Sequence, residues 1–570
     1  MPYTPENPLI VQSDRSVLLE VHNPLYEAAR DALAGFAELV KSPEFIHTYQ
    51  ITPLSLWNAA AAGHPPDAIV AALQQYAKFD IPDNIVADIR EYMGRYGRLQ
   101  LLRRDSGALV LHSQDIPLLT QVWNNKQCRP YLEAQLDEHT LLVNSAARGH
   151  LKQALVHLGF PAEDLAGYVS GEALPVEICS PTAGGQSFAL RNYQHEAVVR
   201  FYEGGSSRGG SGVIVLPCGA GKTVVGIGVI NELATRTLIL CPNTVAVRQW
   251  ITELLDKTTL TADQIGEYTG EKKEIRPVTL TTYQMLTYRP SRNGNNGDGE
   301  FPHFHLFNAQ DWGLIIYDEV HLLPAPIFRI TAEIQARRRL GLTATLVRED
   351  GRETDVFSLI GPKKYDVPWR DLERSGWIAE AICTEIRLNL SQEQRMEYAL
   401  AEDSRVQYRI AAENPAKLDM VDTLLRRHRG DHVLVIGQYI NQLKQLARRT
   451  GAPIITGKTK TSEREKLYAA FKNGEVPVLI VSKVANFAID LPDANVAIQV
   501  SGTFGSRQEE AQRLGRVLRP KADGLPAYFY TLVTRDSRDQ DFAANRQMFL
   551  TEQGYRYTIL DATELQAEAA

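Results

Sequence analysis

The fold is decided by the stretch Val213-Ile214-Val215-Leu216-Pro217-Cys218-Gly219-Ala220-Gly221-Lys222-Thr223. Its first four residues form the short apolar run typical of a buried strand, and residues 224–233 continue as a helix. A strand, a glycine-rich turn and a helix form the geometry in which backbone N–H groups and a helix N-terminus hold phosphates. The stretch therefore predicts a nucleotide phosphate site.

Residues 217–223 form what we call the phosphate loop. Lys222 is expected to reach the β- and γ-phosphates, and Thr223 is expected to bind Mg²⁺. The strict pattern has a glycine five positions before Gly221, where this chain has Leu216, and this departure lowers the specificity of the pattern. The alternative, a glycine-rich turn with an incidental lysine, is disfavoured by the strand before it and the helix after it. The predicted cofactor-binding residues of the loop are Pro217, Cys218, Gly219, Ala220, Gly221, Lys222 and Thr223.

A pair of carboxylates follows a second apolar run. Residues 314–317 read Leu-Ile-Ile-Tyr and are followed by Asp318-Glu319-Val320-His321. A carboxylate at the carboxyl end of a buried parallel strand lies where ligands bind in open α/β sheets. Asp318 is expected to hold Mg²⁺ through water, and Glu319 to orient and deprotonate the attacking water.

A pair of threonines is placed to contact the two carboxylates. Thr343 and Thr345 bracket a small residue after the apolar run at 340–342, and their hydroxyls are expected to hydrogen-bond the Asp318-Glu319 segment.

A pair of arginines near the C-terminus suits the transfer of a phosphoryl group. On a helix, Arg516 and Arg519 share one face, and Gln512 lies nearly on the same face. Two guanidinium groups suit the charge that develops on a transferred phosphoryl group, an arginine-finger role. The alternative for the arginines is a solvated basic helix face.

Buried-strand runs alternate with helical segments in two series, one after residue 186 and one from about residue 432. This alternation is typical of parallel sheets covered on both faces. Before them, residues 1–113 show helical patterns followed by a hairpin at 98–111, which favours a winged-helix-like module, and residues 116–180 favour a small α+β domain. The predicted fold class is α/β, with two tandem parallel-sheet lobes preceded by these two domains. The predicted domains are residues 1–113, 114–183 (with a linker), 184–366 (first lobe, which holds the phosphate loop), 367–415 (connector), 416–557 (second lobe) and 558–570 (acidic tail).

The length and the net charge of the chain limit the number of domains and the kinds of partner that can be expected. A chain of 570 residues exceeds the roughly 250 to 300 residues at which one hydrophobic core stops growing, so several domains are expected. Taken over the whole chain, the net charge of -7 opposes a nucleic-acid partner, since such proteins usually carry an excess of basic residues. However, residues 1–100 hold 7 basic and 12 acidic residues, and residues 561–570 hold three acids and no base. The acidity lies at the two ends, so phosphate-backbone binding by the middle of the chain is not excluded.

The five cysteines are scattered and include no C-x-x-C pair, which disfavours both a disulfide framework and a zinc site. No signal peptide or membrane-spanning run is recognisable in the sequence. We therefore expect a cytoplasmic, monomeric protein without a membrane partner.

The order of motifs resembles the superfamily 2 helicase series over roughly residues 186–535. The motifs are Leu190-Arg191-Asn192-Tyr193-Gln194, Gly-Ala-Gly-Lys-Thr at 219–223, Thr281-Thr282-Tyr283, Asp-Glu-Val-His at 318–321, Thr-Ala-Thr at 343–345 and Gln-x-x-Gly-Arg-x-x-Arg at 512–519. The element Arg348-Glu349-Asp350 and the run Gly361-Pro362-Lys363-Lys364-Tyr365 are similar to XPB-type DNA repair helicases in particular.

The resemblance implies that the two parallel-sheet lobes are RecA-like and that the first lobe binds ATP. It also implies ATP- and Mg²⁺-dependent unwinding or translocation of DNA with 3′ to 5′ polarity. It assigns nucleotide contacts to Arg191 and Gln194, which would meet adenine, and to Asp490. It further assigns DNA binding, or the coupling of hydrolysis to movement, to Arg248, Gln249, Thr281, Thr282, His321, Thr343, Thr345, Arg348, Glu349, Asp350, Ser482, Lys483 and Gln512. It also suggests that residues 116–180 are a damage-recognition-like domain, that residues 392–414 are a thumb, and that a nuclease or other repair protein is a partner. Residues 485–488 depart from the family pattern, which puts coupling there in doubt.

Two other interpretations stay open at this point. One is an ATP-gated DNA-binding or recruitment protein that remodels or clamps DNA without processive unwinding. The other is an RNA helicase, since a motor that grips the backbone distinguishes RNA from DNA only through the 2′-hydroxyl.

Overall fold

The computed structural model describes residues 3–42, 45–217, 219–289, 301–335, 337–344, 352–367, 372, 381–482, 494–502, 526–552 and 556–564. Within these ranges four sheets are formed, and two of them are seven-stranded and wholly parallel. The predicted fold class of two tandem RecA-like lobes is confirmed.

The first lobe contains the phosphate loop and is built on one parallel sheet. Its strands are Leu/Ile/Val-rich because both faces of the sheet are covered by helices and loops. In sheet order the strands are Ile265–Tyr268, Val278–Thr282, Thr237–Cys241, Leu314–Asp318, Arg338–Thr343, Ser211–Val215 and Lys363–Asp366. The α-helices are Asn192–Tyr202, Lys222–Leu233, Thr244–Lys257, Tyr283–Leu286, Ala325–Glu333 and Glu353–Asp355, with a π-helix at Val356–Ile360 and 3-10 turns at Glu203–Gly205, Phe304–Asn308 and Val320–Leu322.

The second lobe repeats the architecture. Its strands in sheet order are Ile454–Ile455, Val478–Ser482, Val433–Gly437, Val496–Gln499, Ala527–Thr534, Ala381–Leu388 and Arg556–Asp561. Its helices are Gln392–Leu400, Ser404–Ala412, Ala416–Arg427, Ile440–Thr450, Thr461–Lys472 and Arg538–Glu552.

The predicted bounds of the second lobe, 416 and 557, are wrong. Ala381–Leu388 lies between Ala527–Thr534 and Arg556–Asp561 and pairs with both, so the sheet takes one strand from the predicted connector and one from the end of the chain. The predicted acidic tail therefore begins inside a strand. The thumb-like segment at 392–414 contains the helices Gln392–Leu400 and Ser404–Ala412.

The N-terminal unit combines helices with a sheet that was not predicted. Its antiparallel strands, in sheet order, are Leu9–Val11, Ser16–Glu20, Ile46–Gln50 and Glu38–Lys41. Its helices are Tyr26–Ala34, Pro53–Ala61, Pro66–Tyr76 and Asp83–Arg95. The strands have only three to five residues each, too short to show a clear period of two.

The predicted hairpin exists, but it belongs to the next unit, so the domain boundary at 113 is wrong. Leu109–His112 pairs with Leu99–Arg103 on one side and with Thr140–Val143 on the other. The sheet order is Leu132–Asp137, Thr140–Val143, Leu109–His112, Leu99–Arg103 and Ala162–Asp164, accompanied by the helices Ile116–Asn124 and Arg148–Leu158 and by 3-10 turns at Arg129–Tyr131 and Ser145–Ala147. After this sheet, Ala173 and Ile178 form only isolated β-bridges, with Thr235 and Thr258 of the first lobe.

A buried ionic cluster joins this five-stranded unit to the first lobe. Asp164 lies 2.6 Å from the guanidinium of Arg148 and 3.1 Å from Lys152 Nζ. Lys152 Nζ also donates to Gln335 Oε1 of the first lobe at 3.0 Å. Burial alone would raise the pKa of Asp164, but the two cations hold it well below its usual range. The pairing keeps the carboxylate charged and fixes the unit against the lobe.

Within the described ranges, the structure contains no helix with the length and apolar character needed to cross a bilayer.

Candidate active site

The phosphate loop joins the strand Ser211–Val215 to the helix Lys222–Leu233, as predicted. Gly221 precedes the first residue of the helix at φ 79°, a left-handed conformation that favours glycine. A Cβ there would lie 2.6 Å from Gln194 Nε2. Both the conformation and the close approach require glycine at this position.

The back of the loop is held by the segment that precedes it in the chain. Gln194 Nε2 and the Tyr193 hydroxyl both donate to the Ala220 carbonyl oxygen, at 3.0 and 2.8 Å. Gln194 Oε1 accepts from the backbone N–H of Arg191 at 3.0 Å, which caps the helix Asn192–Tyr202. In this structure Gln194 is a buried support of the phosphate loop, and its contact with adenine stays a prediction, as does that of Arg191.

Asp318 lies at the carboxyl end of its strand, in a buried environment. The Trp250 indole N–H donates to Asp318 Oδ2 at 3.0 Å, and the Tyr283 hydroxyl donates to the Asp318 carbonyl oxygen at 2.7 Å. Burial, followed by the neighbouring charge of Glu319, raises the pKa of Asp318 to about 7. The carboxylate is thus costly to ionise unless a positive charge lies beside it.

Glu319 turns back toward the phosphate loop. Its backbone takes the left-handed conformation, with φ 51°, which is unusual for a residue with a side chain and is found at functional sites. Glu319 Oε1 lies 3.3 Å from Lys222 Nζ, and both side chains are 13% exposed. The two residues predicted to bind phosphate and to activate water are therefore paired with each other.

A further link runs from Glu319 toward the next strand. His321 Nδ1 lies 3.5 Å from Glu319 Oε2 and 2.6 Å from the Thr343 hydroxyl oxygen, and both His321 and Thr343 are buried. Lys222, Glu319, His321 and Thr343 form a continuous polar chain, which we call the coupling chain. The hydrogen bond that the structure shows for the Thr343 hydroxyl is to His321, two residues after Glu319, and the predicted bond to the Asp318-Glu319 segment itself stays a prediction.

The donor set suits a hard divalent cation. The Thr223 hydroxyl lies in the first turn of the helix after the loop, and Asp318 ends the strand beside the loop. Oxygen ligands from hydroxyl and carboxylate groups are those that Mg²⁺ takes beside nucleotide phosphates. A cation would also compensate the charge that burial makes costly on Asp318, so the residues fit Mg²⁺.

Comparisons with known proteins agree with this geometry. Three family models match: "Type III restriction enzyme, res subunit" over residues 187–348, "ERCC3/RAD25/XPB C-terminal helicase" over 372–569 and "Helicase conserved C-terminal domain" over 9–137. A relative from Mycobacterium tuberculosis, named DNA 3'-5' helicase XPB, is 55% identical over 98% of this chain and 99% of its own length. A relative of the same name from Kineococcus radiotolerans is 55% identical over 98% and 97%.

This chain belongs to the XPB helicase family. A more distant XPB relative from Schizosaccharomyces pombe, named as a subunit of general transcription and DNA repair factor IIH, is 33% identical over 96% of this chain and 75% of its own length. The resemblance drawn from the motifs is confirmed.

The residues that the XPB resemblance assigned to DNA contact differ in their exposure to solvent. Thr281 and Thr282 end the strand Val278–Thr282 but are buried, and the Thr282 hydroxyl accepts from the Met285 N–H as a helix cap. Their side chains are therefore not presented to a DNA strand in this structure. Arg248 and Gln249 are exposed on the helix Thr244–Lys257. Ser482 is buried at the end of its strand in the second lobe.

Several predicted XPB-family site residues lie outside the described residues: Cys218, Thr345, Arg348, Glu349, Asp350, Lys483, Asp490, Gln512, Arg516 and Arg519. Their roles stay predictions.

Sequence reasoning assigned no role at the site to Tyr193, Trp250 or Tyr283, although Tyr193 and Tyr283 stand inside two of the quoted motifs. Their contacts join segments that are separate in the chain, which residue spacing does not show. One signal was present: a Cβ at Gly226, inside the helix Lys222–Leu233, would lie 2.3 Å from the Trp250 ring. A glycine in the interior of a helix indicates close packing of this kind.

Proposed function

We propose that this chain is an ATP-dependent DNA helicase and translocase of 3′ to 5′ polarity that acts in DNA repair. The observation that carries the proposal is the coupling chain, because it connects the phosphate-binding lysine to the strand after the catalytic carboxylates. The names of the relatives at 55% identity support DNA as the substrate and the polarity.

The ion pair between Lys222 and Glu319 is a resting state of the site. A triphosphate in the phosphate loop offers oxygens to Lys222 that compete with Glu319 for the ammonium group. Once Lys222 turns to the phosphates, Glu319 is released to accept a proton from the attacking water. Catalytic competence thus depends on nucleotide binding.

Thr223 and Asp318 would hold Mg²⁺, which when bound neutralises charge on the phosphate oxygens. The hydrogen bond from Trp250 fixes the Asp318 carboxylate at the strand end. The arginine-finger role of Arg516 and Arg519 completes the proposed reaction from the second lobe.

Hydrolysis is coupled to movement along DNA through a change in the position of the Glu319 carboxylate. Its Oε2 lies next to His321, which in turn contacts Thr343 at the end of the strand Arg338–Thr343. A shift of Glu319 on hydrolysis changes the charge beside His321 and so the contact with Thr343. The residues after Thr343 include Arg348, Glu349 and Asp350, which we propose act on duplex DNA.

The partners we propose are DNA junctions between duplex and single strand, and a repair protein such as a nuclease. The eukaryotic relatives are named as subunits of a transcription and repair factor, which supports a protein partner. We further propose that the chain itself is monomeric and acts in the cytoplasm.

The test is strand displacement on duplexes with a 3′ or a 5′ tail, together with DNA-stimulated ATP hydrolysis. Glu319→Gln should lower hydrolysis by at least about a hundredfold while ATP still binds, because the general base is lost. The matched control is Glu232→Gln, an exposed glutamate on the helix Lys222–Leu233, which should behave as wild type.

Three outcomes would contradict the proposal. Unchanged hydrolysis in Glu319→Gln would remove Glu319 from the mechanism. Hydrolysis and DNA binding without strand displacement or movement would indicate the ATP-gated clamp. Equal stimulation by matched RNA would indicate an RNA helicase.

A further inference from the structure

A group of aromatic rings lies at the edge of the first-lobe sheet, away from the phosphate loop. We call Tyr268, Tyr288, His303 and His305 the ring cluster. Tyr268 ends the edge strand Ile265–Tyr268 and pairs in register with Thr281. Because all strands of this sheet are parallel, their carboxyl ends lie on one side of the sheet, and the cluster and Asp318 both lie on that side. It therefore lies beside the end of the strand Val278–Thr282, whose threonines the resemblance assigned to DNA contact but which are buried.

The rings gather around one buried tyrosine. Buried Tyr268 is the support, with its hydroxyl 3.0 Å from His303 Nδ1. The rings of His303 and His305 stand edge-on to it, with centroids at 5.7 and 6.1 Å. Tyr288 lies with its centroid 6.3 Å from that of His303 and is 53% exposed, and His305 is also exposed. Two of the four rings, those of Tyr288 and His305, are thus exposed to solvent beside a buried tyrosine.

Two cations lie on or near the ring cluster. Lys273 Nζ lies 4.7 Å from the Tyr268 ring centroid. The guanidinium of Arg289, the residue after Tyr288, lies 4.2 Å from the ring centroid of Phe301, which is outside the cluster and stacks on Phe304. A phosphate backbone that passes the rings would therefore meet positive charge.

The nearby carboxylates are already engaged. Glu271 Oε2 lies 2.6 Å from Arg248 Nη2, and Glu267 lies 3.9 Å from both Arg248 and Lys272. These ion pairs reduce the repulsion that a phosphate would otherwise meet.

A metal site is not indicated by the two histidines. In the part of the chain that the structure describes, no group of three or more His, Cys, Asp or Glu residues could hold a metal ion. Burial, with the neighbouring charges of Lys273 and His305, lowers the pKa of His303 below its ordinary 6.5. At neutral pH its imidazole is thus neutral and offers an aromatic face.

We propose that the ring cluster is a stacking platform for unpaired bases of single-stranded DNA. Every base has a π-face, so stacking on aromatic rings suits a motor that must accept any sequence. In a duplex those faces are covered by neighbouring bases, so the occupant is a single strand at a tailed junction. The proposal rests on the proposed DNA helicase function and adds a binding site to it.

The test uses the full chain and fluorescence anisotropy with three DNAs: a tailed duplex, a blunt duplex, and a tailed duplex whose tail is abasic. The double variant Tyr288→Ala/His305→Ala should bind the normal tailed duplex at least about fivefold more weakly than wild type, since each stacked base contributes measurably. Blunt and abasic-tailed duplexes should bind wild type and variant equally. Tyr288→Phe should retain the wild-type affinity, because it keeps the ring.

The control is Phe45→Ala, which removes an exposed ring of the N-terminal unit and should change no affinity. If wild type unwinds DNA and the double variant binds the tailed duplex as tightly as wild type, the stacking platform is overturned while the proposed helicase function stands. An equal loss on all three DNAs would also overturn it, since base faces would then be irrelevant. A wild-type chain that binds none of the DNAs would overturn the proposed function and the platform together.

Discussion

Replacing Asp318 with asparagine should stabilise the nucleotide-free protein in a pH-dependent way. Burial and the charge of Glu319 raise the pKa of Asp318 from 3.8 to about 7. The folded state therefore binds a proton more tightly than the unfolded state, and ionising Asp318 above pH 7 costs folding free energy. Asparagine keeps an oxygen to accept from Trp250 and carries no charge at any pH.

The size of the effect follows from the shift. Since a tenfold change in proton affinity corresponds to ~1.36 kcal/mol, the raised pKa of Asp318 costs on the order of a few kcal/mol of folding free energy, fully expressed above pH 7 and absent below about pH 4. For a lobe of this size, each kcal/mol moves Tm by about 2 to 4 °C. Asp318→Asn should therefore raise the Tm of the first-lobe transition by several degrees at pH 8, and by progressively less as the pH falls toward 4.

The assay is scanning calorimetry of the full chain in EDTA without nucleotide, from pH 5 to pH 8. Asp311→Asn, an exposed carboxylate of the same lobe, is the control and should leave Tm nearly unchanged. The reasoning would be refuted if Asp318→Asn were no more stable than wild type at pH 8, or if its advantage were the same at pH 5.

Two further predictions concern the phosphate loop and the second lobe. Gly221→Ala should weaken ATP binding at least about tenfold by isothermal titration calorimetry, because a Cβ at φ 79° would also lie 2.6 Å from Gln194 Nε2. Lys417→Met should lower the free energy of unfolding of the second lobe by about 3 to 5 kcal/mol in urea, because it leaves the fully buried Asp539, now 2.6 Å from Lys417 Nζ, without its counter-charge.

Each of these has a matched comparison. Gly204→Ala also places a side chain at positive φ, 63°, but with nothing within 4 Å, so it should leave ATP affinity unchanged. An equal loss of affinity in both glycine variants would mean that the close approach to Gln194 is irrelevant. For the ion pair, Lys417→Met/Asp539→Leu should recover most of the lost stability. A double variant as unstable as the single one would point to packing rather than charge.

The segments that form the candidate site could be located from the sequence because their signals are local. The strand, turn and helix around Lys222 occupy consecutive residues, and Asp318 and Glu319 directly follow their strand. Buried parallel strands can also be recognised in the sequence as short apolar runs. These features required no knowledge of which segments meet.

The domain bounds could not be predicted in the same way because strand pairing is non-local. Nothing within Ala381–Leu388 or Arg556–Asp561 says that the two are neighbours in one sheet. The hairpin ending at His112 likewise shows its own turn but not its pairing with Thr140–Val143. A pattern of alternating residues defines a strand's faces, whereas its partners depend on the whole sheet.

The nucleotide chemistry, the two parallel-sheet lobes and the family can be recognised from the sequence, since each depends on contiguous residues in a set order. The way in which the site is held depends on contacts between separate segments: Gln194 behind the loop, Trp250 on Asp318, and His321 between Glu319 and Thr343. The burial of Thr281, and the meeting of rings from separate segments beside it, likewise become visible only in the folded chain. The environment of a side chain, and with it its charge, exposure and pKa, is set by groups that are distant along the chain.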